Sequence, residues 1–324
     1  MKKLAITMGD PGGVGPETIV RALSFAEVNE CCTPVVIGDR VVMEEAIKLL
    51  GLPVRLHIID DPGEADPTPG FIDLIETGGT ADFARGKATP EGGSACVSFI
   101  KKAVELAAVK SVDAVVTAPI SKEALKMAGF HWPGHTEMLA GLTGTRDYAM
   151  MLVGGVLRVI LVTIHTSLRS VPDLITKDNV LKTIRLAKKA CGMIGINDPV
   201  IAVAGLNPHA GESGIFGDEE GKVIRPAIEE AVKEGIPAEG PYPPDTVFYR
   251  AYKGDLDIIV CMYHDQGLIP LKMTAFDEGV NVTVGLPFVR TSPDHGTAYD
   301  IAWKGQANPS SMFEAIKLAL RLKI

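Results

Sequence analysis

Short β-branched and apolar runs alternate along the chain with segments whose apolar positions recur every three to four residues. The runs predict strands at 4–8, 34–38, 54–59, 114–117, 148–153, 159–164, 201–204, 257–262 and 281–284. The periodic segments predict helices at 17–26, 41–50, 94–109, 121–128, 179–193, 218–233 and 310–322. Such alternation builds a largely parallel sheet covered by helices. Gly154-Gly155 between 148–153 and 159–164 instead reads as a hairpin turn, so the sheet is expected to be mixed. There is no fixed-period repeat and no low-complexity tract.

Four predicted strands run directly into polar clusters: Thr117-Ala118-Pro119, His165, Asn207-Pro208-His209 and Tyr263-His264-Asp265-Gln266-Gly267. In open α/β sheets ligands bind at the carboxyl ends of strands, so this shared placement predicts one cleft.

Length and charge narrow the class. A chain of 324 residues is more than one ordinary domain of ~150 residues. With 46% hydrophobic and 22% charged residues it is neither disordered nor a coiled coil. A net charge of −8 argues against binding nucleic acid through bulk charge, yet allows a small basic pocket for an anion. The 34 Gly and 22 Pro point to many shaped loops. The greasiest stretch, 149–164, is interrupted by Arg158 and is shorter than the ~20 residues of a membrane span. The first residues carry too short an apolar run for a signal peptide. Five cysteines without a CxxC pair make a disulfide framework or zinc ribbon improbable, and the expectation is a cytoplasmic protein with reduced thiols.

Each chemical motif has a plain structural alternative. Three neutral imidazoles, His165, His209 and His264, suit a divalent transition metal with positions open for substrate. Their spacings of 44 and 55 residues match no short metal motif, and any one alone could be a structural histidine. The loop Met8-Gly9-Asp10-Pro11-Gly12-Gly13-Val14-Gly15-Pro16-Glu17 joins a strand to a helix. It lacks the third glycine of a dinucleotide fingerprint, which falls at Thr18, and Asp39 is a weak match to the acidic position. Lys272, Asn281 and Arg290 together suit a phosphate, or are solvated surface groups. His135 and Thr136 in Gly134-His135-Thr136-Glu137 could donate to an anion at a helix start, or belong to a capping box or aromatic-lined turn. Asp245 could be a helix N-cap or a general base.

Together these segments resemble the 4-hydroxythreonine-4-phosphate dehydrogenase family over essentially the whole chain. The resemblance is carried by Asn207-Pro208-His209-Ala210-Gly211-Glu212, by Tyr263-His264-Asp265-Gln266-Gly267 and by Gly285-Leu286-Pro287-Phe288-Val289-Arg290-Thr291-Ser292. Gly134-His135-Thr136-Glu137 and Asp294-His295-Gly296-Thr297-Ala298 add to it. It implies that His165, His209 and His264 bind a divalent metal (zinc, magnesium or cobalt), and that His135, Thr136, Lys272, Asn281 and Arg290 contact substrate. It also implies a homodimer whose metal site is shared between subunits. The run from His295 to Pro309 is similar to the adenosine-binding loop of isopropylmalate and isocitrate dehydrogenases. That likeness implies cofactor contacts at His295, Gly296, Asp300 and Asn308, with Asp300 on the ribose and Asn308 on the adenine. It further implies their fold of two α/β/α lobes, here residues 1–128 with 276–324 on the cofactor side and 129–275 on the metal and dimer side.

The implied reaction is a metal-dependent, NAD- or NADP-linked oxidation of the C3 hydroxyl of 4-(phosphooxy)-L-threonine, with decarboxylation to 3-amino-2-oxopropyl phosphate. Asp245 or Lys272 would take the proton. The runs Tyr148-Ala149-Met150-Met151, Pro243-Pro244-Asp245-Thr246-Val247-Phe248 and Tyr299-Asp300-Ile301-Ala302-Trp303 look closer to a sister branch acting on 4-phospho-D-threonate or 4-phospho-D-erythronate. A three-histidine metallohydrolase of a phosphate ester would use the same imidazoles, and only the Asp300 to Asn308 loop separates it in sequence. A noncatalytic sugar-phosphate binder is a third alternative. No membrane or nucleic-acid partner is expected.

Overall fold

A computed structural model describes residues 1–77 and 83–324. The chain forms two compact units, Met1–Thr145 with Leu286–Leu322, and Arg146–Gly285. The first unit opens with β1 (Lys2–Thr7), α1 (Gly15–Leu23), α2 (Ala26–Cys31), β2 (Cys32–Gly38), α3 (Arg40–Leu50), β3 (Arg55–Ile58) and β4 (Phe71–Glu76). It continues through α4 (Pro90–Ala108), β5 (Ala114–Thr117), α5 (Lys122–Met127) and α6 (His135–Thr143). The second unit holds β6 (Ala149–Gly154), β7 (Leu157–Leu161), α7 (Val171–Leu174), α8 (Lys177–Met193), β8 (Ile201–Ala204), α9 (Arg225–Lys233), β9 (Ala238–Tyr242), α10 (Pro244–Tyr252), β10 (Ile258–Cys261), α11 (His264–Thr274) and β11 (Val280–Val284). The chain then returns to the first unit with β12 (Val289–Pro293) and α12 (Ser310–Arg321).

In the first unit the strand order is β3-β4-β2-β1-β5-β12. Every pairing is parallel. Its inner strands are buried on both faces, which explains the unbroken run Leu4-Ala5-Ile6 and its partner Val35-Val36-Ile37. In the second unit the order is β11-β6-β7-β10-β8-β9, and β6 is antiparallel to both neighbours. The Gly154-Gly155 hairpin therefore forms as the sequence predicts, and the sheet is mixed but largely parallel. Leu152, Val159, Leu161, Ala202 and Ile259 pack with Leu268 and Leu271 of α11 in this unit's core.

The units divide at 145/146 and 285/286 rather than at 128/129 and 275/276. Helix α6 packs on α4 in the first unit, and β11 pairs with β6 in the second, which moves both boundaries. The segment 17–26 is two helices, because α1 ends at Leu23 and Phe25 is extended. Residues 218–233 contain a π-helical turn, Glu220–Ile224, before α9. Strands β4, β9 and β12 and helices α7, α10 and α11 have no counterpart in the sequence prediction. In α11 the cause is Gly267 and Pro270, which read as breakers. Gly267 instead permits close packing: a Cβ there would stand 3.1–3.2 Å from Cys261 Sγ and from side chains of Leu161 and Val159. Among the described residues no helix is long and apolar enough to cross a membrane.

Candidate active site

Strands β7, β10 and β8 lie side by side and parallel, so their carboxyl ends share one edge. His165 follows β7 by four residues, His264 begins α11 just after β10, and His209 follows β8 by five residues. Adjacent strands stand ~4.8 Å apart, so this topology alone brings three imidazole-bearing loops to one edge. His165 and His264 line a cleft of 890 Å³ together with Asp245, Tyr263, Asp265 and Gln266. Their ring centroids are 5.9 Å apart. Asp245 enters from the first turn of α10; Pro243 is the N-cap position there, so the N-cap alternative for Asp245 is replaced by a cleft-lining position.

His264 Nδ1 lies 2.7 Å from Asp265 Oδ1 and donates to it, which leaves Nε2 as the ring's acceptor. Gln266 ties two of the loops together. Its Oε1 accepts from Met262 N at 2.7 Å and its Nε2 donates to Gly205 O at 2.7 Å.

His209 sits in an unusual turn. Residues His209, Ala210, Glu212 and Ser213 all have φ between 42° and 57°, a left-handed turn built from L-residues. Such a conformation costs roughly 1–2 kcal/mol per non-glycine residue and needs outside support. The buried carboxylate of Glu220 gives it, accepting from Leu206 N at 2.8 Å, Asn207 N at 2.7 Å and Asn207 Nδ2 at 3.0 Å. His209 itself is exposed and rests near the Phe216 ring.

Imidazole is the right donor chemistry for a divalent transition metal. Two of the three rings share the cleft, but among the described residues of one chain no group of three or more histidine, cysteine, aspartate or glutamate side chains could hold an ion. Lys272 is eight residues along α11 from His264, ~12 Å by helical rise, and does not line the cleft. Its ammonium lies 5.7 Å from the Phe276 ring centroid. Asn281, near the start of β11, is also outside the cleft lining.

The first unit carries a separate set. Arg290 on β12 pairs with Val115 of β5, only two residues from Thr117. The residue is 1% exposed, and its guanidinium donates to Thr117 Oγ1 from Nε at 3.1 Å and Nη2 at 2.6 Å. Burial pulls its pKa down to about 9, against the opposing pull of the Glu137 carboxylate. Burial and then the nearby Arg290 charge hold the His135 imidazole well below its ordinary range. His135 Nε2 is buried with no hydrogen-bond partner. Gly134 is the N-cap of α6 without a side-chain cap, so the capping-box alternative is not formed, while Phe130 and Trp132 do stack beside it at 5.5 Å. Thr136 is buried in the first turn of that helix.

The loop from Asp294 to Pro309 also lies in the first unit. His295 Nδ1 pairs with Gly296 O at 3.0 Å, and its Nε2 is buried without a partner. Asp300 is exposed. Asn308 Oδ1 accepts from Ser310 N and Ser310 Oγ at the start of α12. Asp39 is the N-cap of α3, its Oδ1 accepting from Val42 N.

The family described as "Pyridoxal phosphate biosynthetic protein PdxA" matches residues 30–319. The chain belongs to the PdxA family. A 4-hydroxythreonine-4-phosphate dehydrogenase of Desulfosudis oleivorans is 51% identical over 98% of this chain and 95% of its own length. A D-threonate 4-phosphate dehydrogenase of Pectobacterium atrosepticum is 47% identical over 99% of both chains. The crystal structure of a 4-hydroxythreonine-4-phosphate dehydrogenase from Klebsiella pneumoniae superposes with a TM-score of 0.91 at 44% identity, covering 98% of each chain. The PdxA fold is thus the two-lobed, isocitrate/isopropylmalate dehydrogenase-like class that the sequence implies.

Three polar residues of this PdxA chain that support the site were not singled out in the sequence. Thr117 stands in a cluster noted for its place after a strand, but only the β5–β12 register reveals its arginine partner. Glu220 and Gln266 act through hydrogen bonds to the backbone of distant loops, for which a single sequence carries no spacing signal.

Proposed function

We propose that the chain oxidises the C3 hydroxyl of a phosphorylated hydroxy acid with NAD or NADP, in the manner named for its PdxA relatives. The substrate of this reading is 4-(phosphooxy)-L-threonine, and decarboxylation of the β-keto acid gives 3-amino-2-oxopropyl phosphate. The observation that carries it is the cleft at the carboxyl ends of β7 and β10, lined by His165 and Asp245.

His165, His209 and His264 would hold a divalent ion, which supplies the positive charge that makes a chelated alcohol easier to deprotonate. Asp245 is the base best situated in the cleft of this chain, and Lys272 is the alternative. Arg290 presents a buried fork of donors and His135 and Thr136 a helix start, which suits a phosphate. A neutral His135 can donate through Nε2 to a phosphate oxygen without adding a second buried charge beside Arg290. On the family likeness Lys272 and Asn281 would be further substrate contacts. His295, Gly296, Asp300 and Asn308 would form the adenosine site, and a carboxylate at Asp300 favours NAD by accepting from the ribose hydroxyls and repelling a 2′-phosphate.

The working form in this reading is a homodimer with a shared site, His165 and His209 coming from one chain and His264 from its partner. Two features support it: no three-ligand group forms among the described residues of one chain, and α11 exposes Ile269, Met273 and, just past its end, Phe276. The five cysteines are all free thiols, which fits a reducing compartment.

The second substrate reading, a 4-phospho-D-threonate or 4-phospho-D-erythronate dehydrogenase, rests on the 47% identity to the Pectobacterium enzyme. Absorbance at 340 nm with each of the three substrates, with NAD and NADP in turn, separates the branches. Phosphate release without any nicotinamide would instead favour the metallohydrolase.

A further inference from the structure

The cofactor loop is gripped by residues that the proposed reading leaves without a role. Two non-glycine residues in it, Ala298 and Trp303, have φ of 44° and 60°, and such conformations persist only when neighbours over-determine them. Those neighbours come from the glycine loop after β1 and from α1. Val14 N donates to Thr297 O at 3.0 Å. Tyr299 donates from its hydroxyl to Asp10 Oδ2 at 2.7 Å, while Asp10 Oδ1 is fixed by Gly12 N at 2.9 Å. Trp303 donates from Nε1 to Pro11 O at 2.9 Å and from its backbone N to Glu17 Oε1. Arg21, one turn beyond Glu17 on α1, donates to Gly305 O at 2.6 Å. Gly13 lets the two loops approach: a Cβ there would lie 3.0 Å from Thr297 Cβ.

We propose that Asp10, Glu17 and Arg21 are positioning residues that lock the 297–305 loop in its nucleotide-binding shape before the cofactor arrives. This rests on the reading of that loop as the adenosine site. Asp300 lies between the two anchors, directly after Tyr299 and three residues before Trp303, so its placement is set by those anchors. Both anchors use buried acids: Asp10 is 1% exposed and Glu17 fully buried. Pre-organisation of this kind raises affinity by removing the ordering cost from the binding step. It should therefore act on cofactor binding and leave turnover at saturating cofactor alone.

The chain has two tryptophans, Trp132 and Trp303, so a Trp132→Phe background makes Trp303 the sole reporter of the loop. In that background Tyr299→Phe removes the bond to Asp10 and keeps the ring. Calorimetric titration with NAD should show a dissociation constant raised roughly tenfold, the worth of one buried hydrogen bond to a charged group. Acrylamide should quench Trp303 more strongly in the cofactor-free protein, while kcat at saturating NAD stays within about twofold. Asp10→Asn, whose single side-chain oxygen can accept from Tyr299 or from Gly12 N but not from both, should fall between the two proteins. Arg21→Met provides an independent test should Tyr299→Phe not fold, with the same weakening expected. Unchanged NAD affinity and unchanged quenching in folded Tyr299→Phe or Arg21→Met would overturn the proposal. Asp300→Ala separates the two claims. If it leaves NAD affinity unaltered, the adenosine-site reading itself fails; if it weakens NAD while the locking variants do not, only the lock fails.

Discussion

Arg290 is the most deeply buried cation of the described residues, and its burial has a consequence for any ligand it receives. Losing a charged donor to a buried acceptor costs ~1.5–3 kcal/mol, a factor of roughly ten to a hundred. Arg290→Ala is therefore expected to lower kcat/KM by that factor for a phosphorylated substrate and hardly at all for its dephosphorylated analogue; equal losses on both would make the residue structural. The neighbouring His135 gives a pH prediction. Its folded pKa is depressed, so the folded state binds its proton more weakly than the unfolded state. The associated stability is fully present above the ordinary histidine pKa of ~6.5 and is lost as pH falls from there through the folded value. Thermal melts of His135→Gln between pH 7 and pH 5 should show a shallower loss of Tm than the parent, and an identical slope would count against this assignment. At this scale the sequence was informative where chemistry follows a strand end, as for His165 and His264. It did not single out Glu220, nor the partners of Gln266 and Thr117, because Asn207, Gly205 and Arg290 lie 13, 61 and 173 residues from them and are brought close only by the fold.

Helix boundaries show the same division between local and tertiary causes. Helix α3 begins at an Asp39 N-cap and ends at Gly51 with φ 61°, signals that stand in the sequence itself, and its prediction misses by one residue. Helix α4 starts at Pro90, four residues before the predicted start, because Gly92-Gly93 reads as a loop. Gly93 is there for contact: a Cβ would stand 2.1 Å from Ala124 O of α5. Gly93→Ala should accordingly force α4 and α5 apart, costing ~1–3 kcal/mol and several degrees of Tm by scanning calorimetry, although alanine is the better helix former. A rise in Tm would show that the helices can separate freely. Strand β12 went unread for a related reason. Its Arg290, Thr291 and Ser292 are polar yet buried, and binary patterning has no way to register polar groups satisfied by a neighbouring strand, as Arg290 is by Thr117, or by a covering helix, as Thr291 is by Ala315 O.

At the scale of the molecule, dialysis against a chelator should abolish turnover, and zinc, cobalt or magnesium should restore it, while full activity of metal-free protein would remove the three-histidine reading. On the shared-site reading, His165→Ala and His264→Ala chains are each inactive as homodimers. Refolded together, half the dimers are mixed and each mixed dimer regains one intact site, so activity should return to roughly a quarter of wild type. No recovery, with mixed dimers verified by mass spectrometry, would keep both imidazoles, already 5.9 Å apart within one chain, on a single subunit's ion. The split of the first unit across both ends of the sequence was legible only through the family likeness, since no linker composition marks 145/146 or 285/286. That split bears on how the protein is made. On the ribosome, Thr117 is translated long before Arg290, 173 residues downstream, roughly 9 to 35 seconds at ~5–20 residues per second. For that interval the Ala114–Thr117 strand lacks its β12 neighbour and presents an open apolar edge, the kind of surface that chaperones cover and that aggregates when they do not. The buried Arg290–Thr117 pair is thus among the last parts of the first unit to form in each newly synthesised molecule.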